Sequence, residues 1–259
     1  MLYIADDYAY TPEATAGILD LMRAGKVHGT SCMTASPYWP VHAHALKNLC
    51  EENKGLQAGL HITLSGSWFG ALESSLWKGG FPTMERLLLT SLARQLDSTE
   101  IATEVRAQLE AFVSVFGRLP DYVDGHQHCH VFPQIRSVVL TELHKAQFTG
   151  WVRHCGGPIR NILQRPFKVK ALILNHLSNA MLRINREAFA TNKDFCGLYD
   201  FAPSSDFEGL LQTWTRFEDD ACILMCHPGH DLQTGTPRKY RDSDSIASAR
   251  SREFAQLKA

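Results

Sequence analysis

The chain has 259 residues, 26 of them Lys or Arg and 27 Asp or Glu, for a formal net charge of -1. A balance this close to neutral provides no field to recruit nucleic acid or an anionic membrane, and suits a neutral or weakly polar small substrate. At 44% hydrophobic and 10% aromatic residues, the composition excludes a disordered chain and supports a sizeable core.

One domain spanning 1–259 is expected, since α/β barrels reach roughly 200 to 250 residues as single units. "MLYIADD" lacks the basic and longer apolar stretches of a signal peptide, and no run of about 18 apolar residues is present, so a cytoplasmic protein without a membrane span is expected. The seven cysteines are odd in number and scattered without a CxxC pair, which reads as buried thiols rather than disulfides or a zinc cluster.

"LYIADD" reads as a first parallel strand, followed by a helix with Thr11 as N-cap, Pro12 in the first turn, an apolar stripe of Ile18, Leu19 and Met22, and Gly25 at its end. A strand in "VHGTSCMTAS", a helix in "WPVHAHALKNLCEEN" and a third strand in "KGLQAGLHITL" follow. Residues 65–82 are rich in Gly, Ser and aromatics and read as a functional loop, in which Trp68, Phe69, Trp77 and Phe81 either wall a sugar site or pack the loop, the two readings being equally open. One or two helices then run to Gly117. "DYVDGHQHCHVFP" is a strand with its turn, "QIRSVVLTELHKAQF" a helix and "GWVRHC" a strand. The basic stretch within 157–194 reads as helix with a solvated charged face. A helix in "SDFEGLLQTWTRF", a strand in "ACILMCHPGH" and a last helix complete the chain. Such alternation predicts a parallel α/β sheet.

In that architecture, the C-terminal strand ends converge on one face. Polar, metal-competent groups stand at four of them: Asp6 and Asp7, His61, the run His126, His128 and His130, and His227. Spacing by two along a strand would put Asp124, His126, His128 and His130 on one face. Three histidines so spaced, a further histidine and two carboxylates suit a divalent cation. Two adjacent carboxylates repel unless a cation or proton intervenes, so one can ligate while the other acts as general base. His227, before a Pro-Gly turn, suits a general acid that protonates a leaving amine.

With "ADDY", "GLHITL", "VDGHQHCHVFP" and "MCHPG" in that order, the sequence resembles the YdjC-like carbohydrate deacetylases, a group that includes chitooligosaccharide and hopanoid-biosynthesis-associated deacetylases. The resemblance implies a distorted (β/α) barrel of the glycoside hydrolase and deacetylase type, one divalent metal ion, and hydrolysis of the amide C–N bond of an N-acetylated sugar. It implies metal ligands at Asp7, His61 and His126, a catalytic base at Asp6 and an acid at His227. His128 and His130 match the family's histidine run, and Arg153 matches an arginine that pairs with the catalytic aspartate. Magnesium is the metal associated with the family, whereas the donors alone also suit zinc, cobalt, nickel or manganese. Tyr8 and Ala9 replace the usual phenylalanine and glycine, a change expected to alter the loop beside the site. The ending at "REFAQLKA" raises the expectation of an open barrel.

Two other readings compete. A two-carboxylate glycosidase needs carboxylates on opposite sides of a glycosidic bond, roughly 5 to 9.5 Å apart, and leaves the histidines without a role. A catalytically silent sugar- or metal-binding protein needs neither Asp6 nor His227. A homodimer is compatible with the sequence.

Overall fold

In this computed structural model, residues 1–66, 69–185, 188–216, 221–232 and 244–259 are described. Seven parallel strands are ordered β5-β4-β3-β2-β1-β7-β6: β1 (Leu2–Tyr8), β2 (Gly29–Cys32), β3 (Gln57–Ile62), β4 (Tyr122–Gly125), β5 (Trp151–Val152), β6 (Asp194–Cys196) and β7 (Cys222–Cys226). The sheet curls into a half-barrel. The Val152 amide on edge strand β5 donates to the carbonyl of Ala190, just ahead of the opposite edge strand β6, at 2.9 Å.

Parallel strands covered on both faces need apolar side chains on each, and neighbouring residues divide accordingly. Ile4 and Ile223 enter one core, while Ala5 and Leu224 enter the other. The helices are α1 (Pro12–Arg23), α2 (Trp39–Glu52), α3 (Met84–Leu92), α4 (Ser98–Phe116), α5 (Ile135–Lys145), α6 (Ile159–Gln164), α7 (Lys168–Asn185), α8 (Phe207–Thr215) and α9 (Ala247–Lys258). Thr11 caps α1 as its sequence predicts, accepting from the Ala14 amide, and Gly117 closes α4 in the left-handed region at φ 69°. All seven cysteines are buried free thiols. Among the described residues, no helix is long and apolar enough to cross a membrane.

Within the stretch 65–82, Ser65 donates to Gln127 in the turn after β4, while the Leu72, Glu73 and Ser74 amides donate to the Glu104 carboxylate on α4. Phe81 packs against Phe69 and Trp77 instead of lining the site; Trp68 lies outside the described residues. The basic stretch is not simply a solvated face. Arg165 is buried in a two-pronged pair with Asp194, at 2.8 and 2.5 Å, while α7 exposes apolar Val169 and Ile173.

Candidate metal centre

The site grows from the C-terminal ends of β1, β3, β4, β5 and β7. Pairing of β1 with β2 shifts register between Ala5 and Tyr8, and Asp7 lies in the left-handed region at φ 70°. A non-glycine residue is strained there, a feature that collects at functional sites. The irregularity turns Asp6 and Asp7 toward different partners. Ala9 also has a positive φ, of 67°, a conformation that costs a glycine little. Tyr8, expected beside the site, instead points into the helix layer, where its hydroxyl donates to the His42 carbonyl at 2.9 Å. Tyr10 reaches the pocket instead, stacked on His126.

Asp7 Oδ1 lies 3.4 Å from His61 Nε2 and 2.9 Å from His126 Nδ1. These three donor atoms lie within 4.8 Å of one another. Behind them, Asp124 Oδ1 meets His61 Nδ1 at 2.6 Å, which fixes the ring and directs Nε2 inward. A carboxylate behind a ligating histidine is a common orienting arrangement. Against burial, Asp124 and Asp6 raise the His61 imidazole to about 10. Burial would push the Asp7 carboxyl up, but His126 and Arg250 hold it well below the ordinary carboxylate range. One aspartate and two histidines, with room opposite, make a donor set that fits a divalent cation with open positions.

Asp6, His61 and Asp124 form a second acidic group. Arg153 already occupies its charge: its guanidinium grips Asp6 through two 2.7 Å bonds and reaches Asp124 Oδ2 at 2.6 Å. Ser31 Oγ donates to Asp124 at 2.7 Å and accepts from the Tyr122 hydroxyl at 3.0 Å. Burial opposes ionisation of Asp124, yet Arg153 and His61 draw it down to about 2. The two groups differ in access: Asp7, His61 and His126 include the partly exposed His126, whereas Asp6, His61 and Asp124 are all buried.

The histidine run does not continue the strand. β4 ends at Gly125, and His126–Val131 form a tight helical turn in which Gln127 and His128 have φ of 52° and 61°. Alternation by two consequently fails. His126 faces Asp7 and His128 lines the pocket, whereas His130 turns inward and its Nε2 meets the Arg153 carbonyl at 3.0 Å. Burial holds both His128 and His130 low, the latter at about 4.

His227 follows β7 with its ring edge-on to Phe201, 5.1 Å between centroids. Burial lowers it to about 4, and its Nδ1 has no hydrogen-bond partner among the described residues. Its backbone amide donates to Glu253, which also accepts from the Tyr199 hydroxyl at 2.5 Å. One turn earlier on α9, Arg250 donates from Nη2 to Asp7 Oδ2 at 2.7 Å and from Nε to Asp244 at 2.8 Å. A single helix thus braces both Asp7 and His227. Sequence reading missed Arg250 and Glu253; their only signal was two charged residues on a face that otherwise carries Ala249 and Leu257 into the core.

Asp6, Asp7, His126, His128 and His227 all line one pocket of 370 Å³. A curled parallel sheet with a two-histidine, one-aspartate cluster at its strand ends is consistent with a metal-binding hydrolase. The chain belongs to the YdjC-like protein family, whose pattern matches residues 3–259. It is 34% identical over 144 residues to a chitooligosaccharide deacetylase of Yersinia enterocolitica serotype O:8 / biotype 1B, covering 54% of each chain. It is 33% identical over 135 residues to the chitooligosaccharide deacetylase of Yersinia pestis strain Pestoides F, covering 52% of each. The match thus spans about half the length of these curated relatives. A solved structure from Enterococcus faecalis V583, provisionally described as a cellobiose-phosphate cleavage protein, superposes with a TM-score of 0.70 at 21% identity, covering 100% of this chain and 90% of that one. At that identity the likeness concerns the fold.

Proposed function

We propose that the protein is a metal-dependent deacetylase that removes an N-acetyl group from an amino sugar or short N-acetylated oligosaccharide. The half-barrel is read as an incomplete (β/α) barrel of the glycoside hydrolase and deacetylase type, forming one domain over 1–259. The observation that supports this is the different partners of two neighbouring carboxylates: Asp7 faces His61 and His126, while Asp6 is held apart by Arg153. The resemblance to chitooligosaccharide deacetylases supplies the substrate class.

Asp7, His61 and His126 would hold the cation, which when bound supplies Lewis acidity toward a carbonyl and acidifies water. Asp6 accepts the proton of the attacking water. Arg153 fixes that carboxylate in direction through two hydrogen bonds, which orients a base before the reaction begins. His227 enters neutral, so the proton delivered to the departing amine is the one withdrawn from water, passed on as the C–N bond breaks. Negative charge developing beside His227 favours its protonated form at that moment.

The test is product identity from N-acetylated chito-oligosaccharides. Acetate and free amines at unchanged chain length support the reading. Shortened chains would assign a glycosidase, and metal binding without turnover across an acetyl-sugar panel would leave a binding protein.

A further inference from the structure

Beside the polar pocket lies a larger cavity of 760 Å³ whose lining is almost wholly apolar. The two share Met84, Gln127, His128 and Lys170 as a common wall. Its far side is α7, where Val169, Ile173 and Leu177 recur every fourth residue and so form one helical stripe. Val169 is 74% and Ile173 53% exposed, an apolar surface next to a reaction centre that needs an occupant.

The shared wall is less polar than its residue names suggest. Gln127 Oε1 accepts from Ser65 at 2.9 Å, and Lys170 Nζ turns to the Tyr199 carbonyl at 3.3 Å. With the polar tips engaged elsewhere, their aliphatic stems face the cavities.

Sheet order sets which part of a substrate would reach this trough. His227 follows β7 and His128 follows β4, and β1 with Asp7 runs between them in the order β4-β3-β2-β1-β7. With the carbonyl at Asp7 and the departing amine beside His227, the acyl substituent extends toward the β4 flank, where His128 and Gln127 adjoin the trough. We propose that the protein hydrolyses N-acyl amino sugars whose acyl chain is longer than acetyl, and that the cavity between α3, the turn after β4 and α7 is the acyl site. This rests on the amide-hydrolase reading above. Water adds to the acyl carbon, the C–N bond breaks, and the products are a carboxylate and the amino sugar carrying the transferred proton.

The experiment compares glucosamine N-acylated with acetyl, butanoyl and octanoyl groups, following free amine. Octanoyl carries six methylenes more than acetyl, and burial of only three of them, each worth about 0.8 kcal/mol or roughly fourfold, is expected to raise kcat/KM over acetyl by at least about sixtyfold. Ile173→Glu, on the solvent side of the trough, should erase that preference while leaving acetyl turnover unchanged; Leu177→Gln should reduce it. Equal rates along the series, with acetyl turnover present, overturn the inference and leave the deacetylase reading standing. Absence of amine from every member overturns both. Faster turnover of the octyl glycoside of N-acetylglucosamine than of N-octanoylglucosamine would assign the trough to an aglycone and overturn the acyl site. So would a dimer that Ile173→Glu dissociates without changing chain-length preference.

Discussion

Arg250 Nη2 holds Asp7 Oδ2 at 2.7 Å while Oδ1 of the same carboxylate faces His61 and His126. The guanidinium therefore decides which oxygen is offered to a cation. Arg250→Met leaves Asp7 and Asp244 buried without their shared cation, at an expected cost of about 3 to 5 kcal/mol. Metal affinity measured by calorimetry should fall at least about tenfold, because the carboxylate loses its fixed direction. Arg250→Lys keeps the charge but cannot bridge both partners as a fork does, and should fall between wild type and Met. Unchanged affinity in a folded Met variant would remove the positioning role.

Asp6→Asn separates base from ligand. The amide keeps a hydrogen-bonding partner for Arg153, which still pairs with Asp124 at 2.6 Å. Metal affinity should stay within about twofold, since Asp6 is outside the Asp7, His61 and His126 set, while turnover should drop about 10²- to 10⁴-fold, the usual range for a lost general base. Full turnover would sink the assignment.

Glu253 makes stability depend on pH in an unusual direction. Burial raises its carboxyl from 4.5 to about 7, against the hydrogen bonds from Tyr199 and the His227 amide. Between those values the folded protein binds more protons than the unfolded chain, so stability falls as pH rises through this window. The loss from this group approaches about 3 kcal/mol above pH 7. Urea unfolding at pH 5, 6.5 and 8 should show a steeper decline for wild type than for Glu253→Gln, which keeps an acceptor for His227. Parallel profiles would contradict this.

Gly17 tests how α1 seats the turn after β7. A Cβ there would meet Gly229 Cα at 2.7 Å and the His230 nitrogen at 2.9 Å, both backbone atoms that cannot swing aside. Gly17→Ala should cost about 1 to 3 kcal/mol and displace the segment carrying His227. The expected signature is reduced kcat with metal affinity retained; loss of both together would indicate general unfolding.

Much of the fold was legible because its signals are local. Thr11 and Pro12 begin α1, and apolar runs ending in Asp7, His61 and His227 mark strands whose polar residues meet at one end. The turn at His126–Val131 was not legible, because three histidines at alternate positions satisfy a strand pattern equally well. Left-handed Gln127 and His128 send them in separate directions. The bracing by Arg250 and Glu253 depends on where α9 docks, more than 240 residues after Asp7 in the case of Arg250, and no sequence period records that. For Phe81, composition left a sugar wall and loop packing equally open; in the structure it packs against Trp77.

Amide hydrolysis should depend on a divalent ion at the Asp7, His61 and His126 set. Protein stripped with chelator should release no acetate from N-acetylated chito-oligosaccharides, and stoichiometric return of one divalent ion should restore release in wild type. Asp6→Asn loaded to the same stoichiometry should remain inactive. Acetate release that survives complete metal removal, with chain length unchanged, would contradict it.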